Sequence, residues 1–188
     1  MSYFYTDDAC RVLSVAQRHA LRLQHDAVGI EHLALALIEY GRGSVEEAFF
    51  ALDVTPGEAW TQWESFAGAR PVAGPVEEPV RSLEYTSGAS RVLGLVFQER
   101  AQLRHDYIGS EHLLLAMLRQ LDDPWAEPEP ASELFERLNV DLRQLRQELL
   151  SRIPTEPPNA KQTKNIRPLG MSPYMGWLGP EVTRHHER

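Results

Sequence analysis

Lysine is nearly missing from this chain. Of its 19 basic residues only Lys161 and Lys164 are lysines, and both stand near the C-terminus. With none in residues 1–153, a Walker-type phosphate loop or a lysine Schiff base there is excluded, and no Gly-x-x-x-x-Gly-Lys-Ser/Thr occurs anywhere. Cysteine is scarcer still. Cys10 stands alone, so there is no disulfide framework and no thiolate metal site, and a small packing role on the first helix is expected of it. No apolar run approaches the roughly 20 residues of a membrane span. The opening Met-Ser-Tyr-Phe-Tyr-Thr-Asp-Asp is not a secretory signal, and a cytoplasmic location is expected. Gly-x-Ser-x-Gly and His-Glu-x-x-His are also lacking, so an enzyme is not expected. Positive charge is short as well: the net charge is −8, with −10 in residues 1–153 and +2 beyond Ile153. An acidic body argues against a nucleic-acid partner, which needs clustered cations.

What the chain does have is a duplication. Asp26-Ala-Val-Gly-Ile-Glu-His-Leu33 returns eighty positions later as Asp106-Tyr-Ile-Gly-Ser-Glu-His-Leu113. At the same offset Tyr5-Thr6 falls on Tyr85-Thr86, Arg11-Val-Leu13 on Arg91-Val-Leu93, and His25 on His105. Such an internal repeat implies that each half buries its apolar face against the other. Later the offset grows by six, where Leu121-Asp-Asp-Pro-Trp-Ala-Glu-Pro-Glu-Pro130 replaces the shorter Gly41-Arg-Gly43 turn, and Leu52-Asp-Val54 matches Leu138-Asn-Val140. Three prolines and four acids predict an exposed loop there.

The local patterns are helical throughout. Thr6 and Thr86 are expected N-caps, and Ala9, Val12, Leu13, Ala16, Ala20 and Leu23 recur at intervals of three and four, one buried face. Gly29 is expected to supply backbone freedom before a second helix, Ile30 to about Tyr40, which is apolar nearly all round and so belongs in the middle of a bundle. Ser44 with Glu47, and Thr55 with Pro56 and Glu58, read as capping boxes for two more helices. Trp60, Trp63 and Phe66 are the expected core face of the fourth. Ser110 is expected to cap the sixth helix and Asp141 the last, which ends at Pro154. The fold class is therefore all-α, eight helices in two four-helix repeats. Repeat one spans 4–66, an extended linker 67–83, repeat two 84–153, and a proline-rich tail 154–188. Disorder in isolation is expected of that tail, yet Met171, Tyr174, Met175, Trp177 and Leu178 make a segment suited to docking, either on this body or on a partner.

The arrangement Thr6-x-x-Ala9-x-x-Val12-Leu13 followed by His25-x-x-Val28-Gly29-x-Glu31-His32-Leu33, present twice, resembles the double Clp repeat, the N-terminal domain of the ClpA, ClpC and ClpB unfoldases. The likeness covers Tyr5 to about Ile153. In full-length members this domain precedes two AAA+ ATPase modules, which these residues do not include. The resemblance thus implies a stand-alone recognition domain without a motor or cofactor, whose partners are Clp unfoldase or protease subunits, adaptors, and client proteins or peptides. A structural accessory docking through its tail, or a decoy for adaptors or for peptide antibiotics aimed at such domains, is the alternative.

ClpC-type domains read phosphoarginine, with the glutamate of each Gly-Thr-Glu-His segment pairing to the guanidinium. Carried over, these are Glu31 and Glu111, expected to face outward at their helix starts. A carboxylate matches the guanidinium fork, and helix N-terminal N–H groups suit the phosphate. The preceding threonine is Ser110 in one copy and Ile30 in the other. Losing an N-cap hydroxyl costs about 0.5–2 kcal/mol, so the first site is expected to be the weaker. A glutamate in a first helical turn is also stabilised by the helix dipole with no ligand at all. Metal binding by His25, His32, His105 and His112 is not expected, since adjacent Glu and His side chains diverge by about 100° on a helix.

Overall fold

The computed structural model describes residues 4–67, 83–154 and 166–168, with only the backbone described at Phe4 and at 166–168. Repeat one runs β1 (Phe4–Thr6), α1 (Asp7–Arg22), β2 (Ala27–Val28), α2 (Ile30–Tyr40), α3 (Ser44–Phe50) and α4 (Pro56–Ala67). Repeat two replays it as β3 (Glu84–Tyr85), α5 (Ser87–Gln102), β4 (Tyr107–Ile108), α6 (Ser110–Leu121), α7 (Pro130–Arg137) and α8 (Leu142–Arg152); β5 (Ile166–Pro168) follows. The eight expected helices are all present. The tail segment Met171–Leu178 and nearly all of the linker lie outside the described residues.

Most helix starts follow from local chemistry. Thr6 and Thr86 each accept the N–H three residues on, from Ala9 and Ala89, at 3.2 Å. Thr55 accepts from Glu58, and Asp141 accepts from both Arg143 and Gln144. The expected box at Ser44 is not formed. Gly43, at φ +57°, is the N-cap of α3, and the Ser44 hydroxyl instead donates to the Arg152 carbonyl on α8 at 3.1 Å. Left-handed residues follow α1 and α5 at Gln24 and Arg104, and follow α3 and α7 at Asp53 and Asn139, which reproduces both the offset of eighty and the later shift of six.

The two repeats exchange parts. β1 of repeat one pairs in parallel with β4 of repeat two, Tyr5 opposite Ile108. In return β3 of repeat two pairs with β2 of repeat one, Tyr85 opposite Val28. β5 adds antiparallel to the outer side of β1. The third helices are exchanged as well: α7 lies against α2 and α4, while α3 lies against α6 and α8. Strands of two residues cannot hold themselves in water, so each needs the other half to exist. Around this exchange, α2 and α6 are the two central helices, buried from Ile30 to Ile38 and, apart from Glu111, from Ser110 to Leu118. Trp63 is buried and Trp60 and Phe66 partly so, as the spacing of the fourth helix predicts.

Neither repeat should fold alone. Residues 1–67 as a separate peptide should show little helical circular dichroism, and mixing with residues 83–154 should restore it.

Candidate functional site

Burying α2 and α6 on all sides puts their N-termini inside the protein, where the first N–H groups still need partners. The N-caps are Gly29 and Gly109, both in extended conformation, so Ser110 is not a cap but the first helical residue, 3% exposed. Ile30, its counterpart, is fully buried and packs toward Gly88 of α5. The expected ranking of the two sites rested on a capping hydroxyl that neither uses. The cap bond comes from the third helical residue instead. His32 Nδ1 accepts the Gly29 N–H at 2.8 Å, and His112 Nδ1 accepts that of Gly109 at 2.9 Å. This is the returning half of a capping box, with imidazole where a glutamate or glutamine ordinarily stands; glycine has no side chain to supply the other half.

That bond sets the tautomers. With Nδ1 accepting, the proton of His32 sits on Nε2, 2.9 Å from His25 Nδ1; His112 Nε2 lies 3.0 Å from His105 Nδ1 in the same way. Burial first, then the neighbouring histidine, pushes His32 and His112 each down to about 3. Both stay neutral at physiological pH.

Glu31 and Glu111 do not face outward as expected. Glu31 is 7% exposed, and the Glu111 side chain 16%. Each carboxylate folds back over its own glycine, so that a Cβ on Gly29 or Gly109 would come within 2.2 Å of an Oε2. Close approach, not backbone freedom, is what calls for glycine here. The same fold-back corrects the expected divergence of Glu and His. Oε1 of Glu31 lies 3.4 Å from His32 Nδ1, and the ligand-type atoms of His25, Glu31 and His32 gather within 4.8 Å, as do those of His105, Glu111 and His112. The gathering is a hydrogen-bonded cluster rather than a metal cage, because both ring nitrogens of His32 and of His112 are already committed.

Burial raises the pKa of both glutamates. For Glu31 a backbone hydrogen bond to its own N–H opposes this and Glu129 adds to it; for Glu111 its own N–H and the Tyr107 hydroxyl oppose it. Among the described residues, the groups within 4 Å of the Glu31 carboxylate that could turn positive are His25, at 4.0 Å, and the neutral His32. Glu31 forms part of the wall of a groove of about 880 Å³, together with Trp63 and Phe66 from α4 and Glu129, Glu133 and Arg137 at α7. Arg137 is held by Glu133 at 2.7 Å and lies 4.9 Å over the Phe66 ring. The groove combines an acidic rim with aromatic walls. Sequence reasoning missed Glu129 and Glu133; acids in the loop inserted into repeat two were the available signal, and the helix exchange is what brings them to Glu31.

Two interlocked four-helix repeats with paired Gly-x-Glu-His helix starts define the class of a duplicated all-helical domain. The model of the Clp repeat N-terminal domain matches residues 4–127, and the chain belongs to that family. It is 32% identical over 146 residues to the negative regulator of genetic competence ClpC/MecB of Bacillus subtilis, covering 78% of this chain and 16% of that protein. Identity to the chaperone protein ClpB of Oceanobacillus iheyensis is 30% over 146 residues, 78% of this chain and 17% of that one. The chain thus spans about a sixth of the length of these relatives. Among solved structures it resembles the N-terminal domain of the Arabidopsis thaliana chaperone ClpD, at a TM-score of 0.62 and 21% identity over 79% of this chain and 94% of that one. The Hsp104 N-terminal domain of Candida albicans has the same fold, with a TM-score of 0.60 and 14% identity over 81% and 93% of the two chains.

Two outcomes follow from this geometry. Gly29→Ala should eject the Glu31 carboxylate into the groove while leaving α2 formed, since the Gly29 backbone suits any residue. An NMR titration should then show the Glu31 pKa falling toward the ordinary carboxylate value. Stability should also drop as pH falls below about 6.5, where the unfolded histidines take up protons that His32 and His112 refuse until about 3. Each contributes up to about 1.4 kcal/mol per pH unit. Glu31 and Glu111, with raised values, work in the opposite direction and offset part of it. Urea melts between pH 7 and 5 should show the loss, and the double variant His32→Gln, His112→Gln should flatten it.

Proposed function

We propose that this chain is a non-catalytic recognition module that captures arginine-bearing segments of client or adaptor polypeptides, through Glu31 and Glu111, for an ATP-dependent Clp unfoldase or protease. One observation carries the reading: a buried carboxylate at a helix start, on the wall of a groove, lacking a permanent cation within 4 Å and set beside further acids. A guanidinium entering the groove would form the charge-assisted pair that the carboxylate lacks, beside the acids of the groove rim.

The finer version is an arginine-phosphorylated client. Its support is uneven. The guanidinium half fits, and a helix N-terminus favours a phosphate. At α2, however, the Gly29 N–H is bonded to His32 and the Glu31 N–H to its own carboxylate, so few donors remain for the phosphate unless the glutamate swings away on binding.

Fluorescence anisotropy with labelled peptides of one sequence carrying arginine, phosphoarginine or lysine tests both versions. Arginine should bind more tightly than lysine, and the affinity should rise with pH as the raised carboxylates ionise. The double variant Glu31→Ala, Glu111→Ala should weaken binding at least tenfold. Equal binding by that variant would sink the proposal; tighter binding of the phosphorylated peptide would support the finer version.

A further inference from the structure

On the opposite flank of repeat two, α5, α6 and α8 enclose a second groove, of about 810 Å³. It exists through a reversal of charge between the repeats. In repeat one His19 on α1 lies 3.2 Å from Glu39 on α2, and Trp60 of α4 covers the pair, its ring 4.8 Å from that of His19 and its indole N–H donating to Glu39. The offsets of eighty and eighty-six place Glu99, Arg119 and Arg146 at these three positions in repeat two. There Glu99, only 1% exposed, accepts from Arg119 on one carboxylate oxygen and from Arg146 on the other, both at 3.3 Å.

The consequence is an open, basic cleft where repeat one has a tryptophan lid. Glu99 holds two guanidinium groups that remain 43% and 33% exposed, with donors to spare. Arg91 and Arg143 add to the rim; against the four arginines stand Glu99 beneath them, Asp122, which lies 3.7 Å from Arg143, and Asp123, so the cleft keeps an excess of positive charge. The floor is apolar, from Leu95, Leu118 and Leu142. Gly94 lies inside α5, where glycine costs about 0.5–1 kcal/mol relative to alanine, and nothing lies within 4 Å of where its Cβ would be. No packing demand explains that glycine, and it keeps the floor clear.

We infer that this cleft is a docking site for an acidic polypeptide segment carrying an apolar side chain, such as alternating glutamate and leucine. The arginine rim on a body of charge −10 selects acids, and the leucine floor takes the apolar anchor. A nucleic acid fits less well, because its backbone would meet Asp122, Asp123 and the overall negative field. This site is separate from the glutamate groove and does not depend on how that groove is used.

The test uses the full chain and a fluorescein-labelled peptide of alternating glutamate and leucine. Binding should be saturable and should weaken steeply with added salt. Gly94→Leu fills the floor without touching a charge and should reduce affinity at least tenfold with unchanged helical content and melting temperature. Arg143→Glu, at an 81% exposed position, should do likewise. An arginine peptide bound at Glu31 should be unaffected by either. The inference is overturned if the acidic peptide fails to bind, if Gly94→Leu binds it as well as wild type, or if a single-stranded oligodeoxynucleotide of equal length competes on equal terms.

Discussion

The N–H of Gly29 and that of Gly109 point into the protein interior, and each must be satisfied there. An unpaired buried donor costs about 1–3 kcal/mol, a large share of the stability of any domain of this size. Solvent cannot serve, because α2 and α6 are surrounded along their length. A histidine three residues on solves this within the helix, and its second ring nitrogen passes the constraint to His25 or His105 in the turn that follows the preceding helix. One bond thereby ties the first two helices of each repeat together. It also fixes where the intervening glutamate can go, which is back over the glycine.

The same arrangement joins stability to the recognition proposed for the site. A carboxylate folded over the start of a helix is favoured by the dipole, but its burial disfavours the charge. The two effects leave Glu31 and Glu111 strained in an electrostatic sense, with raised pKa values and neutral imidazoles for neighbours. A cationic ligand would relieve this, whereas a neutral one would not. The structural role of the first-turn glutamate and the binding role proposed for it are therefore not rivals. The first creates the condition that the second would use.

Much of the fold was legible because the chain states it twice. Tyr5-Thr6 and Tyr85-Thr86, the apolar faces of α1 and α5, and the shift after Gly43 all predict elements that are present. The exchange of third helices was not legible. Periodicity shows that α3 and α7 have apolar faces, but it cannot say which repeat receives them. The site was only half legible for a related reason. Glu31 and Glu111 stand out as a repeated motif, but whether they point to solvent depends on the surroundings of the helix start. Their convergence with the histidines reflects side-chain torsions that override the simple 100° step. Ser110 looked like a cap because capping statistics favour hydroxyls, yet the N-cap is Gly109, and the bond formed there is from its own N–H to the histidine three residues on.

Duplication also explains how the halves could come to differ without losing the fold. The triad His19, Glu39 and Trp60 corresponds in position to Glu99, Arg119 and Arg146, and in each set the carboxylate has two partners. Breaking a buried ion pair by removing one partner costs about 3–5 kcal/mol, so the buried carboxylate of Glu99 needs its cationic partners beside it. Glu99 meets that condition with two arginines where Glu39 has one histidine and an indole. Replacing tryptophan by arginine on the last helix gives up an aromatic lid, and with it part of the apolar burial. What remains to hold α8 against α6 is the ion pair together with Leu145 and Leu149, both fully buried. The interlocking of the repeats makes this tolerable, since α8 is also clasped from the other side by α3 of repeat one.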